Sequence, residues 1–191
     1  MDKSLPWKHY SSWMPPEESD ALLRQALDRW PWEQGKVQLF GTWHPEPRWS
    51  FFQADPGLMY RYAGRTLVGD GWLPELHALR QRIEHELGIP FNSVLVNGYR
   101  HGADYMGYHR DNEMELGPNP HVASLSLGAT RDFLLRRLAP PKDRHVLSLQ
   151  SGDLLWMQAP CQHAFEHALP KRLRVKTFRI NLTFRQIQGR E

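Results

Sequence analysis

Hydrophobic positions recur at helical spacing in two places in the first half of the chain. After residues 15–20, Leu23, Ala26, Leu27 and Trp30 follow the i, i+3, i+4, i+7 rule, and a proline ends the segment. A stronger pattern covers residues 74–87, whose apolar side chains repeat on one side before a glycine stops the run. Both segments are predicted to be amphipathic helices that cover the face of another layer.

From residue 92 onward the pattern changes to short apolar or alternating runs separated by turn residues. The predicted strands are residues 93–99, 105–109, 122–127, 132–137, 144–149, 153–157 and 175–187. Two earlier strands are predicted at 36–43, which enters a hairpin, and at 58–62. Many short strands with regular breaks favour a sandwich or jelly roll. We expect an α+β fold with a double-sheet β core and the two helices packed on one outer face.

The order of these elements divides the chain into three segments. Residues 1–16 form a lead-in without clear periodicity, residues 17–91 hold the helices and hairpins, and residues 92–188 hold the β core. A length of 191 residues is sufficient for one compact domain with a sizeable core.

Composition is ordinary for a globular protein, with 40% hydrophobic and 24% charged residues and a net charge of +3. The basic residues are unevenly placed, because five of them fall within residues 171–179. Such a run suits a phosphate backbone, and a solvated basic face gives the same pattern.

The single cysteine, Cys161, excludes an intramolecular disulfide and a cysteine-based zinc site, and it fits a reducing compartment. The N-terminal residues lack an apolar signal region, and no apolar run approaches the length of a membrane span. We therefore expect a cytoplasmic monomer without a membrane partner.

Candidate chemistry begins at His109-x-Asp111. Residues two apart in an extended chain point to the same face, with Cα atoms about 6.6 Å apart. One carboxylate and two histidines form the facial triad of a non-haem Fe(II) oxygenase. The pair alone is weak evidence, because chance readily supplies it in a chain with 10 histidines. By position, either His163 or His167 could complete the triad.

The last predicted strand alternates strictly between apolar and polar side chains. Period 2 places Arg179, Asn181, Thr183 and Arg185 on one face. By pattern alone this face could simply contact water. Two arginines on one face could also clamp a small dicarboxylate, because a guanidinium matches carboxylate geometry.

Taken together, these motifs resemble the AlkB family of Fe(II)- and 2-oxoglutarate-dependent dioxygenases, nearest its duplex-DNA repair subgroup. The similarity runs from about residue 17 to residue 187. The motifs that carry it are Asn97-x-Tyr99, His109-Arg110-Asp111-Asn112-Glu113, residues 123–133, His167-x-x-Pro170 and Arg179-x-Asn181-x-Thr183-x-Arg185.

The resemblance implies a double-stranded β-helix core and a role for each motif residue. His109, Asp111 and His167 would hold the iron, and His163 would be a bystander. The residues implied for 2-oxoglutarate are Asn97, Tyr99, Arg179, Asn181, Thr183 and Arg185, with the two arginines at opposite ends of it. The residues implied for the substrate are Phe40 and Gly41 of a finger hairpin, Tyr60, Tyr62, Asn112 and Glu113. Asn112 replaces an aspartate and Tyr62 replaces a phenylalanine that the subgroup usually carries.

The implied reaction is oxidative demethylation of alkylated bases such as 1-methyladenine and 3-methylcytosine. It would consume 2-oxoglutarate and O₂ at Fe(II) and release formaldehyde, succinate and CO₂. The implied partner is alkylated DNA, whose damaged base must be flipped out of the duplex to reach the iron. The alternatives are an oxygenase of this family acting on RNA or protein, and a nucleic-acid-binding member without turnover.

Overall fold

A computed structural model describes residues 5–39, 41–62 and 64–188. In chain order the strands are β1 (Trp7–Tyr10), β2 (Lys36–Leu39), β3 (Thr42–Pro45), β4 (Trp49–Ala54), β5 (Met59–Tyr62), β6 (Arg65–Val68), β7 (Ser93–Tyr99), β8 (Met106–His109), β9 (Val122–Gly128), β10 (Arg131–Arg137), β11 (Arg144–Leu149), β12 (Leu154–Met157), β13 (Phe165–Leu169) and β14 (Arg179–Arg185). The helices are α1 (Pro16–Arg29), α2 (Pro74–Leu87) and α3 (Ala159–Ala164), with a 3₁₀ turn at Met114–Leu116.

Two antiparallel sheets form the jelly-roll core. The larger sheet has the order β1-β12-β9-β14-β7-β4, and the smaller has the order β11-β10-β13-β8. Two separate hairpins, β2-β3 and β5-β6, are formed by the chain between α1 and α2. The expected α+β fold with a double-sheet core is confirmed.

Both long helices bury their apolar side against the outer face of the larger sheet. Each begins with a proline in its first turn, and α2 ends at Gly88, whose φ of 68° is the left-handed conformation that glycine adopts easily. The shared cluster contains Ala26, Trp30, Leu76, Leu79, Ile83 and Leu87 from the helices and Val94, Val96, Leu125, Leu127, Ile180, Leu182 and Phe184 from the strands. The apolar periodicity that predicted the two helices therefore corresponds to the side that each helix packs against the larger sheet.

Strand β14 lies in the middle of the larger sheet, between β9 and β7. Its register pairs Asn181 with Asn97 of β7 and with Ser126 of β9. Because directly opposed residues share a face, the polar side chains of three neighbouring strands collect on the inner face of the sheet. The apolar side chains of β14 point to the helices.

The prediction of a strand over residues 175–187 was wrong at both ends. The strand runs only from Arg179 to Arg185. Before it, the backbone bonds with the β7–β8 loop, since Arg172 N donates to the Gly102 carbonyl and Gly102 N donates to the Val175 carbonyl. Alternation alone could not reveal that these hydrogen bonds go to a loop.

Four strands lie wholly outside the predicted ones: β1, β4, β6 and β13. The single strand predicted over residues 36–43 was also wrong, because it contains the turn between β2 and β3. Strands β1 and β4 form the two edges of the larger sheet, although they lie in the segments 1–16 and 17–91. All three predicted segments thus contribute to one sheet. Among the described residues, no helix is both long and apolar enough to cross a membrane.

Candidate active site

Strand pairing brings the three proposed iron ligands together. His109, the last residue of β8, is the direct cross-strand partner of His167 in β13. Asp111 follows two residues later, and its backbone N–H donates to Oε1 of Gln162 in α3 at 3.0 Å. The ligand atoms of the three side chains all lie within 4.8 Å of one another.

The free atoms of this group suit a metal ion. Asp111 Oδ2 lies 3.6 Å from Nε2 of His167, and this buried oxygen has no hydrogen-bond partner among the described residues. Nδ1 of His109 bonds the Gly107 carbonyl at 2.9 Å, so this nitrogen carries the proton and Nε2 keeps its lone pair. A backbone carbonyl that fixes the tautomer in this way is typical of metal-ligating histidines.

Protonation states also suit a metal. Burial favours the neutral form of Asp111, but the charge of Arg185 overrides it and holds the carboxyl pKa at about 2. Burial lowers the pKa of His167 to about 3. At neutral pH the site therefore presents an ionised carboxylate and a neutral imidazole, the forms that bind metal.

His163 lies outside this group. It belongs to α3, and its Nε2 bonds the Pro118 carbonyl at 2.6 Å on the protein surface. Of the two histidines that the sequence offered, the structure places only His167 beside the His109–Asp111 pair.

The polar face of β14 is buried and does not face solvent. Arg179, 1% exposed, donates to the carbonyls of Ala129 and Leu149 and to Oγ of Ser126. Among the described residues no carboxylate lies within ion-pair distance of its guanidinium. Burial lowers the pKa of Arg179 to about 10, so it stays charged at neutral pH. A buried cation without an anion is costly, and a bound carboxylate would relieve that cost.

Arg185 is situated differently from Arg179. Its Nε and Nη2 donate to Asp111 Oδ1 at 3.1 and 2.5 Å, so it already has a carboxylate partner. The two arginines therefore do not form an empty symmetric clamp. Arg179 carries a charge that no carboxylate among the described residues compensates, and Arg185 holds the proposed metal ligand Asp111 in place.

The remaining residues predicted for 2-oxoglutarate line the same cavity. Asn181 Nδ2 donates to Ser124 Oγ at 2.6 Å, and Thr183 Oγ1 donates to Asn181 Oδ1 at 2.8 Å. Burial raises the pKa of Tyr99 to about 12, which keeps its hydroxyl protonated and able to donate. The cavity also contains Asn97.

Charge balance supports the fit of metal and co-substrate. Asp111, Arg179 and Arg185 give the cavity a net charge of about +1 at neutral pH by their ordinary charges. A divalent metal raises this to +3, which a dianion such as 2-oxoglutarate lowers to +1 again. The residues present therefore fit an Fe(II) ion and a small dicarboxylate.

The residues predicted to contact substrate are spread more widely. Tyr62 lines the cavity, whereas Tyr60, 1% exposed, stacks beneath it with ring centroids 5.9 Å apart. Asn112 is exposed and Glu113 is half-buried, and burial raises the pKa of Glu113 against the opposing effect of Arg185. Gly41, with a φ of 81°, forms the turn between β2 and β3. Phe40 lies outside the described residues.

The sequence pattern did not reveal the apolar wall of the cavity and two supporting side chains. Met106, Phe133, Met157 and Leu169 line the cavity beside the triad, and Phe133 stacks on His167 at 5.3 Å. In β9 the serines of Ser124-x-Ser126 were a usable signal, because they alternate within an otherwise apolar strand. Arg48 donates to Asn97, and Gln162 accepts from the backbone N–H of Asp111. Neither contact could be predicted from the sequence pattern, because the partners are distant in sequence.

Comparison with known proteins identifies the family. A family model described as the 2OG-Fe(II) oxygenase superfamily matches residues 7–185. The DNA oxidative demethylase ALKBH2 of Mus musculus is 39% identical, covering 97% of this chain and 85% of the relative. The chain belongs to the AlkB family. It is accordingly a dioxygenase that uses Fe(II), 2-oxoglutarate and O₂.

Other AlkB relatives are longer than this chain. ALKBH2 of Homo sapiens is 42% identical over 86% of the chain and 66% of the relative. The human alpha-ketoglutarate-dependent dioxygenase alkB homolog 3 is 34% identical over 93% of the chain and 65% of the relative. The chain thus spans about two thirds of the length of these human proteins.

Solved structures at low sequence identity share the fold. OsALKBH1 superimposes with a TM-score of 0.63 at 16% identity, covering 97% of this chain and all of its own. A Pseudomonas putida prolyl-4-hydroxylase gives a TM-score of 0.57 at 16% identity, covering 96% and 94%. These two similarities describe the fold alone.

Proposed function

We propose that this AlkB-family chain repairs alkylated DNA bases by oxidative demethylation, with N-methyl lesions such as 1-methyladenine and 3-methylcytosine as substrates. The observation that carries the proposal is the His109–Asp111–His167 group, in which Asp111 and His167 are buried and His109 is half-buried. This group opens into the same cavity as Arg179, which pairs with no carboxylate among the described residues. The relatives named as DNA oxidative demethylases support the substrate class.

Each residue around the cavity has a task in this reaction. His109, Asp111 and His167 would hold Fe(II), while Arg185 keeps Asp111 ionised and oriented. Arg179 would bind the distal carboxylate of 2-oxoglutarate, with Asn97 and Tyr99 donating to its other oxygens and the hydrogen-bonded pair Asn181 and Thr183 lining the pocket beside it. Iron with 2-oxoglutarate and O₂ supplies the oxidising chemistry.

The apolar residues next to the triad restrict water at the reacting centre. Met106, Phe133, Met157 and Leu169 form this part of the cavity wall. Water excluded from an oxidising site cannot divert the reaction from the N-methyl group. Hydroxylation of that methyl group gives an unstable adduct that releases formaldehyde and the repaired base.

The damaged base would enter on the side of Tyr62, the cavity residue of the β5-β6 hairpin. A flipped base can stack on such a ring, which Tyr60 supports from below. Phosphates would contact the exposed Arg110 and Lys171, the latter lying 4.7 Å over the Tyr105 ring. Arg172 is less available because it pairs with Asp132 at 2.6 Å.

The direct test is turnover on defined oligonucleotides. Purified protein with Fe(II) and 2-oxoglutarate is incubated with 1-methyladenine or 3-methylcytosine in single- and double-stranded DNA and in matched RNA. Mass spectrometry should show loss of one methylene mass per lesion, with equal amounts of succinate and formaldehyde. The His109→Ala control should show no demethylation and no succinate formation. Succinate formation that no methylated oligonucleotide stimulates would contradict the proposal.

Three finer points stay predictions. The RNA arm of this test decides the alternative substrate. A monomeric state can be checked by light scattering. Residence in the cytoplasm, expected from the single cysteine, can be checked by fractionating cells that express the protein.

A further inference from the structure

Arg48 lies buried at a junction that the roles above leave unexplained. It is 7% exposed and belongs to the link between β3 and β4. Its Nη2 donates to Glu46 Oε1 at 3.0 Å and to the Tyr62 hydroxyl at 3.4 Å. Its Nε donates to Oδ1 of Asn97 at 3.0 Å. One guanidinium therefore contacts both a proposed base-binding residue and a proposed co-substrate residue.

The hydrogen bond from Arg48 determines which end of the Asn97 side-chain amide faces the cavity. Asn97 is 2% exposed and lines the cavity. Because its oxygen accepts from Arg48, its Nδ2 amide group is left to face elsewhere, and no described residue accepts from it. 2-Oxoglutarate carries only acceptor oxygens at neutral pH. The Asn97 amide can therefore bind it only when its N–H groups face the co-substrate.

The hairpins hold Arg48 from the opposite side through Glu46. The Glu46 carboxylate pairs with Arg48 and, at 3.5 Å, with Arg65 at the start of β6. Gln34, just before β2, donates to the Glu46 carbonyl at 2.9 Å. Gly35 lies against this cluster, because a Cβ on it would lie 2.4 Å from Glu46 Oε2 and 2.6 Å from Nη2 of Arg65. Glu46 thus connects Arg48 to residues of both hairpins, while the Arg48–Asn97 hydrogen bond itself involves neither Arg65 nor Gln34.

We propose that Arg48 is a positioning residue that orients Asn97 toward 2-oxoglutarate and couples this co-substrate contact to the base-binding Tyr62. The coupling rests on the proposed function, since that places the flipped base against Tyr62. A base that packs on Tyr62 stabilises the arrangement in which Arg48 also holds Asn97. Base and co-substrate then strengthen each other's binding, because coupling between two sites is reciprocal.

The first experiment needs no nucleic acid. 2-Oxoglutarate is titrated calorimetrically into Mn(II)-loaded protein for the wild type, Arg48→Met, Arg48→Lys and the control Arg65→Met, with melting curves for each. Both Arg48 variants should bind roughly tenfold more weakly, the effect of one misdirected hydrogen bond. Arg65→Met, which alters the same cluster without touching Asn97, should bind like the wild type.

Steady-state kinetics distinguish a loss of co-substrate positioning from a general loss of active structure. The KM for 2-oxoglutarate should rise in Arg48→Lys while kcat at saturating 2-oxoglutarate changes less than about twofold. Wild-type affinity in both Arg48 variants would overturn the proposal, as would equal weakening in Arg65→Met. If Arg48→Met does not fold, Arg48→Lys decides the question.

The second experiment tests the coupling. The titration is repeated with a saturating single-stranded 3-methylcytosine oligonucleotide. In the wild type 2-oxoglutarate should bind about fivefold tighter or more, and the gain should vanish in Arg48→Lys. A gain that persists in the variant overturns the coupling. If the wild type does not demethylate this oligonucleotide, the proposed function fails, while the titration without nucleic acid still decides the role of Arg48.

Discussion

At the scale of single residues, the site depends on which charges are paired. Asp111 and Arg185 form a buried pair, whereas Arg179 has only neutral acceptors among the described residues. In a buried pair each charge is compensated by its partner, whereas a buried cation without an anion is costly and favours binding of one. The two arginines of β14 therefore have separate tasks even though the alternation makes them look equivalent.

Removal of any iron ligand should abolish metal binding. We expect His109→Ala, Asp111→Ala and His167→Ala to lose Fe(II) and turnover, because each leaves an incomplete triad. His163→Ala should keep both, since its ring bonds the Pro118 carbonyl on the surface. Iron titration of the four variants checks this. Iron loss in His163→Ala with retention in His167→Ala would show that the third ligand is misassigned.

Replacement of Arg179 by lysine should weaken co-substrate binding selectively. A lysine ammonium cannot reproduce the guanidinium fork, so the Kd for 2-oxoglutarate should rise about ten- to a hundredfold. Arg174→Lys makes the same chemical change at an exposed position before β14 and should leave the Kd unaltered. Calorimetry on Mn(II)-loaded protein measures both. An unchanged Kd in Arg179→Lys would remove Arg179 from the co-substrate site.

At the scale of elements, the loop between β7 and β8 determines how the two site-bearing strands connect. Asp104, 3% exposed, accepts hydrogen bonds from the backbone and side chain of Arg100. Its own carbonyl accepts from the buried Arg131. This closed loop leads directly into the strand that ends at His109.

Asp104→Asn should destabilise the protein in a pH-dependent way. Burial acts to raise the pKa of Asp104, but hydrogen bonds from Arg100 outweigh it and lower that pKa. Its stabilisation is therefore present above the unfolded pKa of about 3.9 and is lost as pH falls through the folded pKa. Urea unfolding at pH 7 should show a loss of about 1–3 kcal/mol.

The matched control for this measurement is Asp28→Asn. Asp28 pairs with Arg29 on the surface, where both side chains are more than 70% exposed. Exposed pairs contribute little, so the free energy of unfolding should stay within about 0.5 kcal/mol of the wild type. Equal losses in the two variants, or a loss in Asp104→Asn that does not shrink toward acid pH, would contradict the expectation.

The β2-β3 hairpin carries a separate prediction about duplex substrates. The sequence puts Phe40 beside the turn at Gly41, where a large ring can fill the gap left by a flipped base. Stacking of this kind contributes about 1–3 kcal/mol per base. Phe40→Ala should thus lose activity mainly on double-stranded methylated DNA, at an unchanged melting temperature.

Thr42→Ala, an exposed change on the same hairpin, is the control for Phe40→Ala. The sequence leaves open that Phe40 packs into its own lobe, where truncation typically costs about 3–5 kcal/mol of stability. Equal losses on single and double strands, together with a lowered melting temperature, would favour that alternative.

At the scale of the whole molecule, a buried thiol can report on global opening. Cys161 is 1% exposed, and burial raises its pKa to about 12. Below that pH the thiol is neutral, whereas an unfolded cysteine returns to a pKa of about 8.5. Iodoacetamide at pH 8 should therefore react roughly a thousandfold more slowly with native than with urea-unfolded protein. Similar rates would mean that this part of the core opens easily.

The sequence by itself determined the period of the elements that it predicted correctly and the identity of the chemistry. Helical spacing in residues 74–87 and strict alternation in residues 179–185 survive in the structure because both report burial against one neighbouring layer. The motif around His109 and the alternating polar set of β14 were readable for the same reason. Side chains two apart on a strand share a face wherever that strand lies.

Only the tertiary structure decided which distant residues meet. Residue spacing alone left both His163 and His167 open, and the β8–β13 register brings His167 beside His109. The burial of the polar face of β14 follows from a second sheet that closes over it. Arg179 and Arg185 differ in their proposed roles because the fold places Asp111 beside Arg185. Arg48 meets Asn97 across 49 positions of chain. Local periodicity carries no information about such contacts, because they arise from the packing of elements on one another.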